Sequence, residues 1–293
     1  MRKFILGTDW WDDSDDAVAV RLLTRAVRNG KAQLLGIGIN ACMEHSVAAL
    51  RGFLNADNVF DVPLGIDLAA NDFGGHPAYQ KRLAENFGKG INNTDAEDGV
   101  RLYRRLLASA DEKIEIIEIG FFQIVANLLE SKADDISEKT GLQLVSEKVS
   151  KFWVMAGKWS EDGGLENNFA RNDRSRIAAD TFCRLCPVPI TFLGFEIGCG
   201  VTTGGHLEHS DHLYDVLSDN GVSGGGYSWD PMLVLMALTG DEEKAGYETV
   251  TGTASVDPKS GRNYFVRSDD GNHRFVIKKH ENCFYAEQID RLL

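Results

Sequence analysis

A chain of 293 residues with 43% apolar and 26% charged side chains is long enough to bury one large core, and its composition is that of a globular protein. A formal net charge of −13 weighs against nucleic acid or an anionic membrane as partner. No apolar run reaches the roughly 18 residues of a transmembrane helix, and the segment behind Met1-Arg2-Lys3 is too short for a secretory signal, so a cytoplasmic setting is expected. Along the chain, near-continuous apolar runs predict buried strands over 4–8, 33–39, 62–65, 114–119, 152–156 and 190–194. Helical spacing fills the intervals over 17–28, 46–55, 97–108, 123–130, 137–149, 173–186, 209–217 and 231–238. Segments 247–256, 263–267 and 274–279 are rich in Val, Thr, Phe and Tyr, are split by turn residues, and predict β-hairpins. A last helix is expected over 287–293. The fold class is therefore α/β: a Rossmann-like, mostly parallel sheet with helices on both faces and a C-terminal β-hairpin extension, in one domain over 1–293. Glycine-rich loops fall at 71–77, 87–93 and 221–228. The five cysteines are odd in number and scattered, and read as structural thiols. That includes Cys183 and Cys186, which end a helix where a redox pair would start one.

The run Asp9-Trp10-Trp11-Asp12-Asp13-Ser14-Asp15-Asp16 lies where the first strand ends and the first helix begins. In open α/β sheets, ligands bind at such carboxyl ends. Two unit charges about 4 Å apart repel by roughly 4 kcal/mol at an effective dielectric of about 20. Five aspartates in eight residues must take up protons, splay into water or bind a cation, and a hard cation such as Ca²⁺ or Mg²⁺ suits an all-oxygen donor set. Three further stations sit at strand ends or helix starts: Ile119-Gly120, the loop Gly164-Leu165-Glu166-Asn167-Asn168, and Ser228-Trp229-Asp230-Pro231. Taken alone, Asp230 reads as a helix N-cap with Pro231 at the first helical position. His206, His209 and His212 would share one face of the 209–217 helix, a polar surface by default, and His76 is a loop histidine.

The order of these motifs resembles the calcium-dependent nucleoside hydrolases of the inosine-uridine-preferring type. Asp9 through Ala17 is similar to the family's D-x-D-x-G-x-D-x-D-D-A signature. Val154-Met155-Ala156-Gly157 resembles its M-G-G strand end. Glu166-Asn167-Asn168 resembles E-F-N, Gly194-Phe195-Glu196-Ile197-Gly198 resembles G-F-E-I-G, and Trp229-Asp230-Pro231 resembles H-D-P or W-D-P. The resemblance implies a nucleoside hydrolase fold and cleavage of the N-glycosidic bond of a ribonucleoside or related N-riboside, in purine or pyrimidine salvage, by a Ca²⁺-bound water with Asp9 as general base. It implies metal ligation by Asp9, Asp15, Asp16, Asp230 and the Ile119 carbonyl, with Asp15 also near the ribose. Asn40, Glu166, Asn168 and Trp229 would contact substrate. A homodimer or homotetramer is the expected assembly.

The chain departs from that pattern in three places. Gly7 replaces the first aspartate of D-x-D. Gly120-Phe121-Phe122-Gln123 replaces G-P-L-T-N. Trp229 stands where some members carry a histidine that helps protonate the leaving base, and an indole offers only its N–H. Trp10, Trp11, Trp229 and Tyr227 are then candidates to stack on a base. Asp12 and Asp13 fall in an extension and are expected only to cap the helix. The alternative is a non-catalytic, metal-dependent nucleoside or ribose binder. A haloacid-dehalogenase-type phosphotransferase fits less well, because Gly7 sits at its nucleophile position.

Overall fold

The computed structural model describes residues 1–88 and 90–293; Lys89, within the expected 87–93 loop, lies outside the described residues. The chain begins with β1 (Arg2–Thr8), α1 (Asp15–Arg28), β2 (Ala32–Ile39), α2 (Ser46–Ala56), β3 (Leu64–Ile66), α3 (Ala78–Phe87), β4 (Glu97–Asp98) and α4 (Gly99–Ser109). It continues with β5 (Ile114–Glu118), α5 (Gln123–Glu130), α6 (Gly141–Lys148), β6 (Val149–Met155), the short turn α7 (Asn167–Ala170), α8 (Asp173–Leu185), β7 (Ile190–Leu193) and the short turn α9 (Phe195–Gly198). The last third holds β8 (Thr202–Thr203), α10 (His212–Asp219), β9 (Gly226–Tyr227), α11 (Trp229–Thr239), β10 (Tyr247–Val256), β11 (Asn263–Arg267), β12 (His273–Lys278) and α12 (Asn282–Asp290).

Among the described residues, ten strands form one sheet in the order β11-β10-β12-β7-β6-β5-β1-β2-β3-β4. Every pairing from β12 to β4 is parallel, while β10 runs antiparallel to both β11 and β12. The alternation of side chains along β1 explains the unbroken apolar run. Phe4 and Leu6 join the layer that holds α1, α2 and α11, while Ile5 joins the opposite layer with α4, α5 and α8. Both faces of β1 are thus covered by helices, as a parallel strand requires. No helix among the described residues is long and apolar enough to cross a membrane.

The strand order fixes where a ligand can enter. From β1 the chain builds outward through β2, β3 and β4, then returns to lay β5 on the other side of β1. The loops after β1 and β5 therefore diverge, opening a crevice at their carboxyl ends, the switch point at which open α/β sheets bind ligands. Gly120 lets the two loops touch. A Cβ there would overlap the backbone at Thr8 and Asp9.

Several element boundaries differ from expectation for local reasons. The helix expected from 97 begins at Gly99, because Glu97–Asp98 pairs with β3 at the sheet edge and the Asp98 side chain caps the Arg101 N–H at 3.0 Å. The helix expected from 137 begins at Gly141, where Thr140 and Gln143 form a reciprocal capping box. The terminal helix spans Asn282–Asp290, earlier than the expected 287–293. Helix α3 had no sequence expectation, although Tyr79 and Leu83, four apart, are its buried stripe. The appended hairpin is real, and β12 inserts between β10 and β7, parallel to β7.

Gly120→Ala is expected to destabilise the protein by about 1–3 kcal/mol in urea unfolding, since backbone cannot rotate away from an added methyl. Gly224→Ala, with open space around its Cβ position, is the control; equal midpoints for the two variants would refute the close approach.

Candidate active site

The crevice is built from a sharp turn. After Thr8, Trp10 takes φ +47°, a left-handed conformation that costs a non-glycine residue about 1–3 kcal/mol. Its surroundings hold it there. The Trp10 N–H donates to Thr8 Oγ1 at 3.0 Å and to Asp16 Oδ1 at 3.3 Å, and its carbonyl accepts from Gln80 Nε2. The fully buried indole sits edge-on to Phe53 and Tyr79, 5.6 and 5.7 Å between centroids. The turn lets Asp9, at the end of β1, face Asp15 and Asp16 in the first turn of α1. Thr8 Oγ1 also donates to Asp16.

Asp230 completes the cluster from the far end of the chain. It lies in the first turn of α11, and its own N–H donates to Asp15 Oδ2 at 3.1 Å. The expectation of an Asp230 N-cap is corrected: Ser228 precedes the helix and Pro231 is its third residue. Asp9, Asp15, Asp16 and Asp230 are each no more than 6% exposed. Burial is the largest cause lifting every one of these carboxyls, and the neighbouring aspartates add to it. Asp9, Asp15 and Asp230 rise well above the ordinary carboxyl range. Asp16, relieved by the Thr8 and Trp10 donors, is pushed up to about 7.

These acids line a cavity of about 280 Å³, together with Trp11, Asp12, Asp13, Ile119, Met155, Glu166, Asn167, Asn168, Arg171, Phe195 and Trp229. Of the sequence-derived site residues, Asp9, Asp15, Asp16, Ile119, Glu166, Asn168, Trp229 and Asp230 are brought together here. Asn40 is fully buried and off the lining; its Oδ1 accepts from the Ile124 N–H at 3.1 Å. Glu166 caps α7, accepting from the Asn168 N–H at 2.8 Å and the Gly157 N–H at 3.0 Å. Those donors partly offset burial, leaving its carboxyl at about 7. Asn168 Nδ2 donates to the Met155 carbonyl at 3.0 Å, so both side chains are held rigidly opposite the aspartates. The Trp229 indole stacks on Phe195 at 5.4 Å and gives its N–H to the Phe195 carbonyl at 2.6 Å.

Asp13 exceeds its expectation. Carboxylate oxygens of Asp13, Asp15 and Asp16 lie within 4.8 Å of one another, a spacing that could hold a metal ion. Its side chain reaches the cluster and does not cap α1, whose preceding residue is Ser14. The signal was there in the local density of aspartates, but the family pattern assigns that position no role. Trp10 is core and no wall for a base, whereas Trp11 does line the cavity. His206 and His209 precede α10, so no helical face of three histidines exists. His76 is off the cavity lining. Gly7 also has a physical reason: the buried Glu118 of β5, bonded by Tyr103 at 3.3 Å, fills the space a side chain at position 7 would need.

An all-oxygen set of buried, mutually repelling carboxylates fits a hard divalent cation such as Ca²⁺. Protonation is the competing way to relieve the charge.

No protein-family model and no curated protein sequence matches the chain. Solved structures do. A plant nucleoside hydrolase superposes with a TM-score of 0.73 at 15% identity, over 99% of this chain and 98% of that one. A purine-preferring ribonucleoside hydrolase from Gardnerella vaginalis gives 0.72 at 16%, over 99% of each chain. The type III effector protein XopQ, complexed with adenosine diphosphate ribose, gives 0.69 at 15%, over 99% and 93%. At these identities the likeness establishes the fold: this chain has the α/β fold of nucleoside hydrolases.

Two outcomes are expected. The folded Glu166 carboxyl titrates near 7 against 4.5 for the free side chain, so the folded state holds an extra proton between those values and stability falls as pH rises through that window. In metal-free protein, Glu166→Gln should remove on the order of 3 kcal/mol of that decline, read from urea midpoints at pH 4.5 and 8. Asp230→Asn should stabilise metal-free protein at pH 8 by on the order of 1 kcal/mol by removing one repelling charge. It should also abolish the stabilisation expected of the wild type on adding Ca²⁺, about 2.7 kcal/mol at a hundredfold excess over Kd and read as a rise in melting temperature. A wild type insensitive to every divalent cation would remove the metal site.

Proposed function

We propose that this protein is a nucleoside hydrolase, cleaving the N-glycosidic bond of a ribonucleoside or a related N-riboside to ribose and free base. The observation that carries the reading is the convergence of Asp9, Asp15, Asp16 and Asp230 in one cavity, with Glu166 and Asn168 across from them. The shared fold with nucleoside hydrolases supports it. Asp9, Asp15, Asp16 and Asp230 would hold Ca²⁺, with the Ile119 carbonyl and the newly found Asp13 beside them. The ion, when bound, orients sugar hydroxyls and makes water more acidic.

The remaining chemistry belongs to the chain. Glycoside cleavage passes through a cationic, oxocarbenium-like ribose. Preorganised carboxylates facing that ring stabilise the developing charge without reorganising. Asp9, at the end of β1, accepts the proton of the attacking water as general base. Glu166 and Asn168 fix the sugar's 5′-hydroxyl end. Trp229, flat on Phe195, offers an aromatic wall to the leaving base. Its N–H is already committed to a carbonyl, so the proton for the base comes from solvent or from a carboxyl whose proton affinity burial has raised. The same reading carries a homodimer or homotetramer, a salvage role and a cytoplasmic setting with it.

A nucleoside panel assayed with Ca²⁺ should release free ribose, and Asp9→Ala should lower kcat by at least about a thousandfold. Ribose binding without turnover of any N-riboside would instead support a non-catalytic binder, the reading that the occupied Trp229 N–H favours.

A further inference from the structure

Arg171 is the one basic side chain on the cavity lining among the described residues. It belongs to the same turn as the sugar-end residues, its N–H bonding the Asn167 carbonyl at 3.0 Å. The guanidinium lies over the Trp11 ring, 4.5 Å from the centroid, and its hydrogen bond is one long contact to the Phe73 carbonyl at 3.4 Å. It forms no ion pair among the described residues, although acids outnumber bases 44 to 31 in this chain. Its neighbours Arg174 and Arg176 pair with Asp72 and Asp173.

A structural role does not account for this. The loop carrying Phe73 is already tied by Arg174, which donates to the Ala69 carbonyl at 2.8 Å and pairs with Asp72. A guanidinium carries five donors in a planar fork, and Arg171 uses one. Held over an aromatic face, it is preorganised for a planar or bidentate anion such as phosphate.

Two groups of side chains line the cavity. Trp229 and Phe195 form an aromatic wall beside Asp230, while Glu166, Asn168 and Arg171 stand together on α7 and its flanks. We propose that the site takes ribosyl substrates carrying a 5′-phosphate, with Arg171 as the residue that binds the phosphate beyond the sugar's 5′-oxygen. This rests on the ribohydrolase reading of the same cavity. A bound divalent cation would offset part of the charge of Asp9, Asp15, Asp16 and Asp230, and Glu166, also buried on the lining, accepts from the Gly157 and Asn168 N–H groups. Asp12 is exposed, where solvent screens it.

The test is calorimetric binding of ribose and of ribose 5-phosphate to the whole protein with saturating Ca²⁺. Wild type is expected to bind ribose 5-phosphate about tenfold more tightly than ribose, the value of one charge-assisted contact. In Arg171→Gln the two ligands should bind alike, and Arg171→Lys should restore part of the preference. Equal or weaker binding of ribose 5-phosphate by the wild type overturns the proposal and leaves the ribohydrolase reading standing. A preference that persists in Arg171→Gln overturns the assignment to Arg171. Binding of neither ligand, in protein that still binds Ca²⁺, removes the ribose site itself and the proposal with it.

Discussion

Like charge held out of water is the constraint on which this structure depends. Four aspartates, none more than 6% exposed, face one another at the carboxyl end of β1, and burial and repulsion raise all of them. Nothing in folding favours such an arrangement for its own sake. The strain at Trp10, the glycine at 120 and the docking of α11 all serve to bring those carboxylates together. Each is a local cost offset by the packing of a large two-sided core.

The crevice is shaped by side chains from several strands and loops. Gly7 leaves space beside β1 that the buried Glu118 of the neighbouring strand fills. Phe121 stacks on Phe73 at 4.0 Å, with Trp11 tilted against both. An aromatic cluster thus supports the floor beneath Arg171. Such packing is invisible to a motif, because the motif records one strand at a time while the packing spans several.

Much of the fold was legible because parallel strands buried on both faces announce themselves as apolar runs. The strands at 4–8, 33–39, 114–119 and 190–194 all form, and the opening aspartates, Glu166, Asn168 and Asp230 all reach one cavity. What was missed depends on partners far along the chain. Glu97–Asp98 is a strand only because β3 lies beside it. His206 and His209 lie outside a helix because Asp211 caps it, accepting the Leu213 N–H at 2.8 Å. Asn40 sits at a strand end as the pattern suggests, yet it is buried off the cavity lining, with its Oδ1 taken by the Ile124 N–H. Arg171 had no periodic or motif signal; its position over Trp11 exists only in three dimensions.

The hydrogen bond from the Asp230 N–H to Asp15 joins residues 215 positions apart. Bringing such distant segments together is entropically slow, so contacts of this span form late. During synthesis the opening aspartates emerge first and remain an ordinary solvated acidic turn. Only when α11 docks is the cluster completed and buried, and burial raises its carboxyls. A ligand that needed the finished cluster would therefore bind only a chain folded through α11.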